Sequence, residues 1–388
     1  MPRTLVLLTS IVVSFLAASS APTPLYTVYA ERWHFTPVTT TVIFAIYALA
    51  VLAALLVLGR LSDHLGRRPI ILASLGLQAV AMIVFATAGG LGALIAGRIL
   101  QGVATGGSVG AIGAAMLDVD RRRGVLTNAI APGLGTALGA LLSGLIVQYL
   151  PAPTHLIYLL LLAVFAIQAA GVLRMPETVT RRPGAVRALV PEFSVPRSLA
   201  GPVLTVAPIL FAVWALAGFG GSLAPALVRE LSGSPAAALA GVPLFLLTFV
   251  GAMTTVAVDR VPARLVLRWG IPLVIAGSLG TLVATTLGST TGFLVATVVA
   301  GAGFGAGIQG AMRTVVPQAA PEERSGVLSV LYVITYLGIG LPSVTAGVFV
   351  VHSGLDGTAR GYSVFVILLA VATLAGTLRT ARRVESVR

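Results

Sequence analysis

The chain has 388 residues, of which 57% are hydrophobic and only 10% charged, and its mean hydropathy is +1.00. A soluble protein carries about a quarter of its residues charged, so this composition excludes a water-soluble enzyme and makes lipid the solvent. The net charge is +13 and all 25 basic residues are arginine; there is no cysteine, which removes disulfides, thiolate metal sites and cysteine nucleophiles. The arginines fall in short clusters between apolar runs, not on one basic domain, which argues against a nucleic-acid partner.

Apolar runs long enough to cross a hydrocarbon core about 30 Å thick are expected near 4–29, 38–58, 69–88, 91–117, 124–149, 154–173, 201–228, 236–258, 270–288, 291–315, 325–351 and 361–380. The spans show no alternating barrel pattern. Their backbone must therefore satisfy itself within each segment, as a helix does. The fold class is an all-α membrane protein of twelve transmembrane helices. A cleaved signal peptide is the rival reading of the first run, through Arg3 and Ala17-Ala18-Ser19-Ser20-Ala21; cleavage would leave eleven spans.

Arginine placement tests the count. With the N-terminus inside, 21 arginines fall on the cytoplasmic side, only Arg32, Arg229 and Arg360 fall outside, and Arg98 lies within a span. That asymmetry is the positive-inside signal, and a wrong span count would scramble it. It places both termini in the cytoplasm, and the absence of lysine beside abundant arginine and alanine points to a bacterial chain, hence to a multi-pass protein of a bacterial inner membrane.

The chain reads as two six-span bundles, 1–174 and 201–388, joined by a cytoplasmic linker over 175–200 that holds Pro176, Pro183, Pro191 and Pro196. The halves echo each other. Gly113-Ala114-Ala115-Met116 followed by Arg123-Gly124-Val125-Leu126 has a counterpart in Gly310-Ala311-Met312 followed by Arg324-Ser325-Gly326-Val327-Leu328. Repeats of this kind enclose a central site in secondary transporters.

The connection between the second and third spans reads Gly59-Arg60-Leu61-Ser62-Asp63-His64-Leu65-Gly66-Arg67-Arg68-Pro69. It resembles the signature loop of the major facilitator superfamily, Gly-x-Leu-Gly/Ala-Asp-Arg/Lys-x-Gly-Arg-Arg/Lys, with His64 in place of a basic residue. Gly59 and Gly66 permit tight turning, and Asp63 can pair with the arginines around it. The resemblance implies a cytoplasmic latch between the halves. In it Asp63 would face the start of span 11, and Arg67 would pair with an acid ending span 4, Asp118 before Asp120. The plainer reading is that Arg67 and Arg68 only enforce orientation.

Arg98 is the one charge well inside a span. A buried charge there costs at least ~2.5 kcal/mol and is a functional candidate by default. Arg98-Ile99-Leu100-Gln101-Gly102 resembles the family's Arg-x-x-Gln-Gly motif, which implies a role for Arg98, Gln101 and Gly102 in proton movement or substrate orientation; a structural hub bonding backbone carbonyls is the alternative. In span 5, Ala131-Pro132-Gly133-Leu134-Gly135-Thr136 followed by Gly139 resembles a degraded antiporter motif built on Pro132, Gly135 and Gly139. Ordinary small-residue packing explains it as well. The family arrangement puts Tyr26, Trp214, Gln309, Tyr332 and Tyr336 forward as cavity candidates.

None of the twelve acids falls near mid-membrane, so a proton-coupling carboxylate is missing where carriers usually bury one; Asp63, Asp118, Glu31 and His34 are the fallback proton sites. The histidines all lie near span ends, and no metal-binding or nucleotide-binding motif occurs. The expectation is therefore a transporter that is not an enzyme, holds no cofactor or metal, and acts as a monomer in the bilayer on a small-molecule substrate, with protons as a candidate partner. Export of drug-like or metabolic compounds is favoured. Import of a sugar or organic acid and a non-transporting membrane sensor are the alternatives.

Overall fold

The computed structural model describes residues 3–180, 182–234 and 236–385, with side chains described as far as Leu378. Arg181 and Arg388 of the arginine pattern lie outside the described residues, as do the side chains of Arg379, Arg382 and Arg383. Fifteen α-helices and two short 3₁₀ turns make up the regular structure among the described residues, with no strand. Among the described residues, eleven helical stretches are long and apolar enough to cross a membrane. The last of them, Arg324–Leu378, is 55 residues long, about 80 Å of helix, and turns at Gly354 (φ 69, ψ 176). Its two arms bring the crossing segments to twelve. The described residues thus form an all-helical membrane protein.

The helices in chain order are α1 (Arg3–Ser20), α2 (Pro22–Trp33), α3 (Pro37–Leu58), α4 (Ser62–Leu65), α5 (Arg67–Ala86), α6 (Leu91–Val119), α7 (Arg121–Tyr149), α8 (Pro153–Leu173), α9 (Ala185–Ala188), α10 (Arg197–Ser222), α11 (Ala224–Ser232), α12 (Val242–Ala257), α13 (Ala263–Thr286), α14 (Thr290–Val315) and α15 (Arg324–Glu385). Local chemistry sets many starts. Thr36 accepts the Thr39 N–H before Pro37 opens α3. Asp120 accepts the Arg123 N–H at α7, and Ser289 accepts the Gly292 N–H at α14. Each cap satisfies one of the N–H groups that a helix start leaves unpaired.

Three expected elements differ. The first span is broken at Ala21 into α1 and α2, because Pro22 and Pro24 each lack the N–H that a continuous helix needs. The eighth begins with a 3₁₀ turn at Ala237–Gly241, so its α-helix starts at Val242. The loop expected over 352–360 is helical apart from Gly354, a single residue whose positive φ turns the chain.

The chain divides into two compact units, Met1–Pro191 with Pro235–Phe245, and Glu192–Ser234 with Leu246–Arg388. The same helix pairings recur within each. In the first unit α1 packs on α7, and α5 packs on both α6 and α8; in the second α10 packs on α15, and α13 packs on both α14 and α15. Small residues allow the closest pairings. A Cβ on Gly102 of α6 would lie 2.5 Å from the Ala50 Cβ and 2.9 Å from the Tyr47 carbonyl oxygen of α3. On α14, a Cβ at Gly301 would lie 2.8 Å from the Leu247 carbonyl oxygen of α12. Lipid tails are as apolar as leucine, so such backbone approach, not hydrophobic exclusion, holds helices together in a membrane.

Gly102→Leu should therefore push α6 off α3 and cost about 1–3 kcal/mol. It should be read as a lowered unfolding temperature in detergent. Gly76→Leu, where an added Cβ meets nothing within 4 Å, should leave that temperature unchanged.

Candidate functional site

The break in the first span creates a chemical demand. Pro22 cannot donate to the Ala18 carbonyl, which in hydrocarbon has no water to turn to. The Gln101 Nε2 of α6 donates to that oxygen at 2.9 Å. Arg98, one turn earlier on the same face of α6, donates from Nη1 to the Ser19 carbonyl at 2.7 Å and to the Gln101 Oε1 at 2.7 Å. Its Nε donates to the Tyr26 hydroxyl at 2.9 Å, and its Nη2 donates to the same oxygen. On α7, Ser143 Oγ donates to the Ala21 carbonyl at 2.6 Å. The proline break is thus bound by side chains from two neighbouring helices.

Arg98 and Gln101 are both fully buried, and no carboxylate of the described residues lies within ion-pair reach of Arg98. Its charge is held by oxygen acceptors and by ring faces: the guanidinium carbon sits 5.5 Å from the Tyr26 centroid, 5.2 Å from Tyr47 and 6.0 Å from Phe85. Hydrogen bonds from a charged donor contribute about 1.5–3 kcal/mol each. Four of them together exceed the ~2.5–3.5 kcal/mol cost of placing an arginine at membrane depth. Tyr26, a cavity candidate by sequence, is 2% exposed and serves here as Arg98's partner. Gly139 on α7 packs its backbone against Ala17 and the Ser20 hydroxyl just before the break, and Gly135 packs against Val13 and Leu16. Pro132 lies inside the unbroken α7.

A second polar cluster surrounds the loop between α3 and α5. Arg67 is 8% exposed. Its Nη1 donates to Ser62 Oγ at 2.7 Å and to Asp63 Oδ1 at 2.5 Å, and its Nε lies 3.6 Å from Asp118 Oδ2 at the end of α6. Asp120 instead caps α7. Gly66 adopts φ +100, a left-handed turn open to glycine, while Gly59 ends α3 in a helical conformation. Arg68 Nη2 donates to the Leu173 carbonyl at 2.5 Å.

α5 has no capping side chain of its own. Glu177, just past α8, fills that place: its carboxylate accepts the N–H groups of Arg67 at 2.9 Å and Arg68 at 3.1 Å. Partial burial pushes the Glu177 carboxyl up, but backbone N–H donors from Arg67, Arg68, Val179 and Thr178 outweigh it and hold the group below its ordinary range. Further contacts tie the following segment to the loop. Thr178 Oγ1 donates to Asp118 Oδ2 at 2.9 Å, the Arg182 N–H donates to the His64 carbonyl at 3.0 Å, and His64 Nδ1 lies 3.1 Å from the Pro183 carbonyl.

In the second unit Trp214 of α10 meets Phe304 of α14 edge-on at 5.6 Å and stacks on Tyr336 of α15 at 6.4 Å. Its indole Nε1 is buried without an acceptor. Gln309 and Tyr332 are half-buried on α14 and α15. Glu31 and His34 lie exposed around the end of α2.

Comparison with known proteins decides what carries these clusters. The model of the Major Facilitator Superfamily matches residues 7–343. The chain belongs to this superfamily. It is a multi-pass membrane protein. The superfamily fold extends over nearly its full length: a nucleoside transporter, NupG, superposes with a TM-score of 0.72 at 13% identity, covering 96% of this chain and 100% of that one. The human organic anion transporter MFSD10 gives 0.68 at 18% identity over the same shares. At these identities the likeness shows the fold alone. Among curated relatives, the class C tetracycline resistance protein of Escherichia coli is 38% identical over 109 residues, 27% of each chain. A probable triacylglyceride transporter of Mycobacterium bovis is 40% identical over 108 residues, 26% of this chain and 21% of that protein. The matched segment thus spans about a quarter of the length of these relatives.

Within this superfamily member, sequence reasoning named Arg98, Gln101, Arg67 and Asp118. It passed over Pro22, Pro24, Tyr47, Ser143, Ser62 and Glu177. Two signals were available. Prolines inside an apolar span leave carbonyls that something must satisfy, and a helix opening on Gly66-Arg67-Arg68 without a capping side chain needs an acceptor from elsewhere.

Gln101→Leu should leave the Ala18 carbonyl unpaired and cost about 1–3 kcal/mol, seen as a lower unfolding temperature and as faster amide exchange around residues 18–24. Glu177→Ala should expose the Arg67 and Arg68 amides to exchange at every pH. In the native chain the depressed Glu177 group gives protection that is complete above the ordinary glutamate range, near pH ~4.3. That protection is lost as pH falls through the lower folded value. Protection that persists under strong acid would remove Glu177 from this role.

Proposed function

We propose that the chain exports amphipathic, neutral or anionic organic molecules by alternating access, its two repeats moving as bodies, with both termini in the cytoplasm. The observation that carries the substrate class is the Trp214–Phe304–Tyr336 group: three aromatic faces and one buried indole N–H with no acceptor. Such a group suits a planar or partly apolar molecule that brings a single hydrogen-bond acceptor. Sugars need many more polar partners. The scarcity of acids within the spans disfavours cations. Export is supported by the segment shared with a tetracycline resistance protein and by Pro132, Gly135 and Gly139. The arginine asymmetry supports the orientation.

In this reading Arg98 and Gln101 position the broken first span, and Tyr26 belongs to that brace. The cluster of Asp63, Arg67, Arg68 and Asp118, pinned by Glu177, is the cytoplasmic latch. Proton coupling is part of the proposal, with Asp63 and Asp118 as the candidate proton sites.

The test uses purified transporter in vesicles, with a panel of fluorescent amphipathic compounds, sugars and organic acids, and with and without an imposed pH gradient. Amphipathic compounds should accumulate only under the gradient. Trp214→Phe keeps the ring but removes the donor, so it should raise KM about tenfold, the worth of ~1.4 kcal/mol, at an unchanged unfolding temperature. Sugar uptake in place of amphipath movement, or a Trp214→Phe variant with native KM, would overturn the proposal.

A further inference from the structure

The two arms of α15 enclose a cavity that the transport reading leaves unused. Its volume is about 550 Å³, and it lies between the arms with Phe211 of α10 at its back. Gly354 joins the arms at one end. From there the lining follows one face of the first arm through Ser353, Phe349, Thr345 and Leu341, steps of four residues that keep to a single helix face. The stripe is about 18 Å long. The second arm lines the cavity from Gly357 to Phe365.

Three features identify what fills it. First, it is open and apolar: Leu341 and Phe349 are each 56% exposed and Phe365 is 38% exposed, and such side chains on a membrane-crossing helix suit contact with lipid tails. Second, its inner wall shows carbon. The Tyr362 hydroxyl donates to the Ala215 carbonyl at 2.7 Å, and the Thr358 hydroxyl to the Gly354 carbonyl at 2.7 Å, so neither has its proton left for a polar ligand. Third, its length is close to one leaflet, half of a core about 30 Å thick. The closed end is polar. Ser353 lines the cavity there and is exposed, as is its chain neighbour His352; on the second arm Arg360 is exposed, its Nε donating to the carbonyl of half-buried Asp356 at 3.3 Å. A polar end over an apolar shaft one leaflet deep is the outline of a lipid.

We propose that the cleft between the arms of α15 is a lipid site. It takes one acyl chain of a phospholipid from the surrounding leaflet, with the phosphate at Arg360. Small side chains make the room: a Cβ on Gly361 meets nothing within 4 Å. A larger residue at this position would occupy the cavity without displacing backbone. The site rests on the membrane fold alone and stands whichever substrate is carried.

The full chain in nanodiscs of phosphatidylglycerol bearing a diazirine on its acyl chain supplies the test. After photolysis, adducts are mapped by mass spectrometry. Adducts within 341–365 should exceed those on the exposed face of α8, at Leu159, Leu160 and Ile167, by roughly fivefold, the effect of one arginine on an anionic lipid at a membrane surface. Gly361→Trp should bring them down to the α8 level. Thr345→Trp, an exposed rim position, repeats the test should the first variant fail to fold. Arg360→Ala should lower labelling with phosphatidylglycerol, which has net negative charge, more than with zwitterionic phosphatidylcholine. Equal labelling of α8 and the cleft, native labelling in a filled variant, or displacement of the lipid by the amphipathic compounds of the transport panel would each overturn the assignment.

Discussion

A polypeptide in hydrocarbon has no water to satisfy a backbone group that its helix leaves open. Pro22 and Pro24 break the first span and open such groups deep within the first unit. The neighbouring helices then answer to that break. The Gln101 amide reaches the carbonyl that Pro22 orphans, Arg98 reaches the next one along, and Ser143 reaches Ala21. These contacts fix the rotation of α6 and α7 about their own axes. A buried arginine without a carboxylate looks costly in isolation. It is tolerated because the Ser19 carbonyl at the break, the Gln101 amide oxygen and the Tyr26 hydroxyl all accept its N–H groups.

Close backbone packing is the second constraint, and it serves the first. Gly102 lies one residue beyond Gln101 and brings α6 against α3, while Gly139 brings α7 against the end of α1. Without these approaches the side chains of α6 and α7 would stand too far from the break to reach it. Motifs that a sequence reader takes for transport chemistry are, in this fold, also the surfaces that let polar groups meet. The two roles are compatible: a brace on a broken span positions whatever that span presents to a substrate.

The loop between α3 and α5 follows the same logic at the edge of the membrane. A helix start supplies N–H groups and partial positive charge, and Glu177 from beyond α8 supplies the acceptor. Arg67 turns back to Ser62, Asp63 and Asp118. Three separate parts of the chain are thereby held at one point, so displacing any one of them disturbs the others.

Span number, helical character, twofold repetition and the family resemblance were legible in the residues themselves. Hydropathy, arginine placement and short motifs are local quantities, and lipid imposes helical structure on any long apolar run. The partners were not legible. Nothing near Tyr26 in the chain indicates that its hydroxyl faces Arg98, and nothing near Glu177 indicates that it caps a helix 110 residues earlier. The continuous turn at Gly354, and the cleft beneath it, depend on how two arms diverge after one residue with positive φ. Composition thus determined the solvent and the kind of element. Tertiary structure alone decided which orphaned carbonyl meets which donor, because hydrogen bonds are settled by distance in space and not by separation along the chain.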